Sequence, residues 1–154
     1  MSARPKDIGT AAESAVVRYL QANGFPNAER RALRGAYDCG DVTGIPGVVI
    51  EVKGGAAAKR ASDGQVTAWL EETDVERRNA RADVGILVMQ RPGIGVLNAG
   101  RWWAILPFDY AVSVATVTER RYWSHLSGPV RMHLAAAATL LRHGGHGTPL
   151  GGAA

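Results

Sequence analysis

The stretch that most constrains this 154-residue chain is Gly40-Asp41-Val42-Thr43-Gly44-Ile45-Pro46-Gly47-Val48-Val49-Ile50-Glu51-Val52-Lys53. Val48 to Lys53 is short and β-branched, with a Gly/Pro turn before it and Gly54-Gly55 after it. That pattern predicts a buried strand rather than a piece of helix. Side chains alternate along a strand, so Ile50 and Val52 face one way while Val49, Glu51 and Lys53 face the other. A carboxylate and an ammonium thus project side by side from an apolar strand, where charge is costly unless it is paired or holds a metal.

Asp41 closes the preceding segment, and the Gly44-Ile45-Pro46-Gly47 turn can fold it back beside Glu51. Two carboxylates converging beside a lysine suit a hard divalent cation with oxygen ligands, Mg²⁺ above all, bound through one or two carboxylates plus substrate phosphate. Taken alone, E-x-K is more simply a Glu51–Lys53 ion pair on a solvated strand face. The surrounding residues decide between the two.

Upstream, Ile8 to Asn23 has helical spacing and a stop at Gly24. Glu13, Val16, Val17 and Leu20 share one face, which puts a carboxylate at the edge of the apolar stripe. From the pattern alone, Glu13 points either to solvent or toward the site. Ala28 to Asp38 is expected to contain the first strand, with Arg30, Arg31 and Arg34 on or beside it as phosphate contacts or as solvated loop residues. Asp38 lies close to Asp41, but Asp41 abuts the turn and is the preferred carboxylate.

Downstream, Gly54 to Asp63 reads as a small, flexible loop with Lys59 and Arg60 beside the substrate. Ser62-Asp63-Gly64-Gln65 has capping-box form and announces a helix from about Asp63 to Ala80, with Val66, Trp69, Leu70 and Thr73 on its apolar side. Gln65 either closes that box or reaches the site, and the two readings are compatible. Val84 to Met89 predicts a central strand, parallel to the Glu51 strand because a helix separates them. Ile94 to Gly100 is a turn-rich link. Arg101 to Leu106 is a further strand with Trp102 and Trp103 on opposite faces. Phe108 to Thr118 is read as a helix although it also alternates like a strand, and Pro129 to Arg142 as a helix. Residues 1–142 are expected to form one domain, and the Gly-rich residues 143–154 a disordered tail.

Composition agrees with a single globular domain, at 46% hydrophobic and 21% charged residues. The single Cys39 leaves no intramolecular disulfide. With no apolar leader at the N-terminus, a cytoplasmic protein without a membrane span is expected. The net charge is +4, and residues 81–154 carry seven basic against three acidic side chains. Arg30, Arg31, Arg34, Lys59 and Arg60 flank the carboxylates, an arrangement suited to a polyanion approaching a metal site.

Gly40-Asp41-Val42 followed by Ile50-Glu51-Val52-Lys53 resembles the core motif of the PD-(D/E)XK nuclease superfamily, in particular the archaeal-type and phage Holliday junction resolvases. The resemblance takes in Glu13, Gly24-Phe25 and the basic segment, over roughly the first ninety residues. The motif here begins Gly-Asp where the family often has Pro-Asp, which leaves the carboxylate intact. The resemblance implies an α/β fold with the restriction-endonuclease-like three-layer core, a mixed central sheet flanked by helices. It also implies a DNA endonuclease acting on branched DNA or a four-way junction, with a homodimer matching the junction's two-fold symmetry. Asp41, Glu51 and the Val52 backbone carbonyl would hold Mg²⁺ or Mn²⁺, with Glu13 assisting directly or through water. Lys53 would position or deprotonate the attacking water, and Gln65 would contact the lysine, a water or the phosphate. A nuclease acting on ordinary duplex DNA, or a DNA-binding protein that keeps the fold without catalysis, are the other readings.

Overall fold

A computed structural model describes residues 4–32 and 37–151. Helix α1 (Pro5–Ala22) is followed by strands β1 (Glu29–Arg30), β2 (Val42–Thr43) and β3 (Val48–Lys53), then helices α2 (Gly55–Lys59) and α3 (Asp63–Asn79). Strand β4 (Val84–Met89) leads through a 3₁₀ turn to β5 (Trp103–Pro107) and α4 (Phe108–Thr116), and β6 (Pro129–His133) runs into α5 (Leu134–His143). The six strands form one mixed sheet in the order β1-β2-β3-β4-β5-β6. β3 and β4 are parallel, as expected for strands joined through a helix, and the other neighbours are antiparallel.

The strand alternation divides the core in two. Ile50, Val52, Ile86, Val88, Ala104 and Leu106 point to the face covered by α1, α4 and α5, where they pack with Leu20, Trp102 and Leu141. Leu87, Met89 and Ile105 point to the opposite face and meet Val66 and Trp69 of α3. The chain is therefore an α/β protein with helices on both sides of the sheet. A side chain such as Leu20, fully buried, contributes about 1.5–3 kcal/mol by leaving water. Among the described residues, no helix is long and apolar enough to cross a membrane.

Local chemistry accounts for the helix ends. Pro5 opens α1 where its missing N–H costs nothing, and Asp7 lies in the first turn. The Ser62 hydroxyl accepts the Gln65 N–H at 3.2 Å and starts α3. Phe108–Thr116 resolves as helix rather than strand, ending at Val117 in the left-handed region.

Three segments differ from the sequence expectation. Gly54–Asp63 contains the short helix α2 rather than only a loop. Ala56-Ala57-Ala58 favours helix, and the Gly54-Gly55 backbone approaches α1 so closely that a Cβ on Gly54 would lie 2.5 Å from that of Ala12. Pro129–Arg142 is not one helix: residues 129–133 form β6, paired with β5 from Pro107↔Pro129 to Trp103↔His133. β6 is the edge strand, where a proline removes no interior ladder bond. The tail expected to be disordered is docked as far as Thr148, whose N–H donates to Gly24 O at 2.7 Å, while His146 Nδ1 lies 2.9 Å from Pro46 O. Residues 152–154 lie outside the described residues.

Candidate active site

Glu51 and Lys53 emerge from β3 on the α3 face. Glu51 is 8% exposed, and Lys53 Nζ lies 2.7 Å from its Oε1. The same ammonium lies 3.5 Å from Glu72 Oε2 and 5.6 Å from the centre of the Trp69 ring, both on α3. Among the described residues this ammonium is the one cation in salt-bridge range of Glu51, and it is shared between the strand and the helix above it.

Asp41 reaches the site because of the glycine before it. Gly40 has φ +86°, and a Cβ there would lie 2.7 Å from Val49 Cγ1 and 3.0 Å from Ile50 O, so the backbone can pass this closely only without a side chain. The chain then pairs with β3 through Asp41 N–H to Ile50 O at 2.9 Å, and Asp41 Oδ2 accepts the Val52 N–H at 2.8 Å. The N–H and C=O of a strand residue project toward the same edge. The Val52 carbonyl therefore points to the edge on which the Asp41 carboxylate lies. Asp38, the other nearby aspartate, forms a turn: its Oδ1 accepts the Gly40 N–H at 3.1 Å and its carbonyl accepts from Asn79 at 2.9 Å.

A third carboxylate, unmarked in the sequence reading, completes the cluster. Glu76 of α3 is 5% exposed and its Oε2 is buried without a hydrogen-bond partner. Its signal was present: Val66, Trp69, Thr73 and Glu76 recur at helical spacing on the buried side of α3, so an acidic residue occupies the apolar stripe.

Crowding so much negative charge away from water raises the carboxyl pKa values. Asp41 is pushed up to about 7 by burial and then by the charge of Glu51, partly offset by the Val52 N–H. Glu51 also rises to about 7 through burial; the hydrogen bond and charge of Lys53 pull it down and Glu76 pushes it up. Glu76 reaches about 7 by burial and by the charge of Asp38. Burial by itself lowers the Lys53 pKa, but the hydrogen bond to Glu51 and the charges of Glu51, Glu72 and Asp41 outweigh it, and the net shift is upward. Lys53 is accordingly an ammonium at neutral pH.

The other expected residues are placed less directly. Glu13 faces Arg30, with Arg30 Nε 2.9 Å from its Oε2, and it acts on Asp41 through its charge. Arg30 thereby has a partner on α1 while its side chain stays 40% exposed. Arg31 donates its backbone N–H to Asp41 O at 2.8 Å, and its Nε is buried without a partner. Arg34 lies outside the described residues. Lys59 and Arg60 end α2, exposed and, among the described residues, without a carboxylate in salt-bridge range. Arg60, Gln65 and Trp69 line an open depression of about 460 Å³. Gln65 is exposed, and its backbone N–H donates to Ser62 Oγ, a cap bond that does not use its side chain.

The donor set bears on a metal in two ways. Among the described residues no three His, Cys, Asp or Glu side chains form a ready-made metal cluster. Asp41, Glu51 and the Val52 carbonyl nevertheless offer oxygen donors to Mg²⁺, an ion that needs only one or two carboxylates and keeps waters. The raised carboxyls and the orphaned Glu76 oxygen mark a site short of positive charge. Comparison of the chain with family models, curated proteins and solved structures gives no match.

Proposed function

We propose that this protein is a metal-dependent endodeoxyribonuclease with a PD-(D/E)XK-type core, acting on branched DNA such as a four-way junction. The observation that carries the reading is the convergence of Asp41 and Glu51, with the Lys53 ammonium 2.7 Å from Glu51, at the end of a central strand. An ion pair on a solvated strand face would not bury Glu51, nor would it gather Asp41 and Glu76 around it.

Asp41, Glu51 and the Val52 carbonyl would hold Mg²⁺ or Mn²⁺. When bound, such an ion polarises a phosphoryl oxygen and makes its bound water a nucleophile near neutral pH. Lys53, kept charged by Glu51 and Glu72, orients the attacking water and offsets charge developing on the phosphate. Glu13 acts on Asp41 through its charge from α1, and Lys59 and Arg60 offer cations to the substrate backbone. Hydrolysis by resemblance leaves a 5′-phosphate, and a homodimer would present two such sites to a two-fold symmetric junction.

The test is cleavage of a labelled four-way junction beside linear duplex of the same sequence, with Mg²⁺, with EDTA, and for Glu51→Gln. Symmetric nicking of the junction, abolished by either control, is the expected result. Equal cutting of both substrates replaces the junction with ordinary duplex DNA. Tight metal-independent binding without any cutting overturns the enzyme and leaves a DNA-binding module.

A further inference from the structure

The pairing registers connect Lys53 to a second group of charges. Lys53 lies opposite Met89, Met89 opposite Trp103, and Trp103 opposite His133, so these four residues form one row across β3 to β6 on the α3 face. Met89, with Val66 and Trp69 seated over it, occupies the middle of the row. At its far end the Arg91 guanidinium lies 4.0 Å from the centre of the Trp103 ring and that of Arg131 lies 5.5 Å from it. His133 tilts against the same ring at 5.4 Å. Arg91 Nη1 lies 2.9 Å from Arg101 O and 3.0 Å from His133 Nε2. Arginine has no acceptor, so both bonds run outward from Arg91 and fix its position.

Neither arginine is neutralised. Among the described residues no carboxylate lies within 4.0 Å of Arg91 or Arg131, and the Arg131 side chain makes no hydrogen bond. By contrast, Arg30 has a carboxylate partner in Glu13, and Arg120 has one in Asp109. Two guanidiniums beside one indole make a local excess of positive charge, and the planar fork of each suits phosphate oxygens.

We propose that Arg91 and Arg131, mounted on Trp103, form a second phosphate-binding site that holds the DNA substrate beyond the scissile bond. The nature of the polyanion rests on the nuclease reading. With neighbouring strands about 4.8 Å apart, Trp103 lies about 10 Å and His133 about 14 Å from Lys53 along the row. That span corresponds to about three to four base pairs along a duplex axis. The site would fix the register of a strand whose cleaved phosphate lies at Lys53.

The test uses the full chain carrying Glu51→Gln, so that binding is read without cleavage. Affinity for labelled four-way junction and linear duplex is measured by anisotropy over a range of salt, for this protein and with Arg91→Ala and Arg131→Ala added together. The expected result is at least about a tenfold loss of affinity and a salt slope shallower by about two, at roughly 0.9 per phosphate contact. Arg91→Lys with Arg131→Lys, which keeps the charges and guards against a folding defect, is expected to recover most of the slope. Unchanged affinity and slope in the alanine variant overturn the site even if the unsubstituted protein cuts DNA. A shallower slope in a protein that never cuts keeps the site and removes the nuclease reading. No DNA binding by the parent overturns both.

Discussion

Lys53 Nζ lies 2.7 Å from Glu51 Oε1, two residues apart on the same face of β3, and this ammonium is the nearest counter-charge to a buried carboxylate flanked by Asp41 and Glu76. Lys53→Met keeps the bulk and removes the charge. Glu51 then loses the interaction that pulls its pKa down, and its folded-state pKa rises further above the unfolded value. A raised carboxyl pKa stabilises at low pH and loses that contribution as pH rises. The variant is therefore expected to lose about 1–3 kcal/mol at pH 8 and less at pH 6, read by urea denaturation at both. Cleavage is expected to fall by about 10²–10³-fold, and equal losses at the two pH values would remove Glu51 as the group concerned.

Glu76→Gln is expected to stabilise the metal-free protein above neutral pH. With Glu76 raised to about 7 in the fold and near the ordinary carboxylate value when unfolded, the native state binds more protons between about pH 4.5 and 7. Stability attributable to this group thus falls as pH rises through that window. Glutamine removes the fall, so melting temperatures should coincide near pH 4.5 and diverge by a few degrees at pH 8, for a gain of about 1–2 kcal/mol. A melting curve for each protein at the two pH values decides it.

At the proposed metal site Mg²⁺ would compete with protons on Asp41 and Glu51, both raised to about 7. Its affinity should therefore increase from pH 6 to pH 8 and flatten above that, with protons released on binding. Titration calorimetry in two buffers of different ionisation enthalpy measures both quantities. Asp41→Asn is expected to abolish the pH-dependent binding, and retention of full affinity would exclude this pair as the ligands.

Gly40→Ala is expected to destabilise the protein by about 1–3 kcal/mol, because φ is +86° and the new methyl would press on Val49 Cγ1 and Ile50 O. Relief of that clash moves Asp41 away from the Val52 N–H. Chemical denaturation gives the stability loss, and Mg²⁺ titration of the folded fraction reads the displaced carboxylate.

Ending the chain after His143 removes the Thr148 N–H bond to Gly24 and the His146 contact with Pro46. Those contacts tie the chain end to the α1–β1 connection and to the turn before β3. A loss of about 1–2 kcal/mol is expected, against none for a free tail, as measured by thermal melting of the shortened and full chains.

What the sequence determined by itself is local. The period of two in Val48–Lys53 put Glu51 and Lys53 on one face, the Gly44–Gly47 turn brought Asp41 back to β3, and Ser62 began α3. Each of these depends on backbone preferences within a few residues. The restriction-endonuclease-like core and the chemistry assigned to it rest on a resemblance of motif, whereas the strand order and the placing of helices on both faces are read from the fold. Tertiary structure alone decided which distant side chains became partners. Arg30 was taken up by Glu13 across 17 residues, Glu76 was brought from α3 to the strand carboxylates, and residues 129–133 became a strand because β5 offered a free edge. The physical reason is that a buried charge or an unpaired strand edge is satisfied by whatever the packing of distant elements places beside it, and one stretch of sequence does not contain that neighbour.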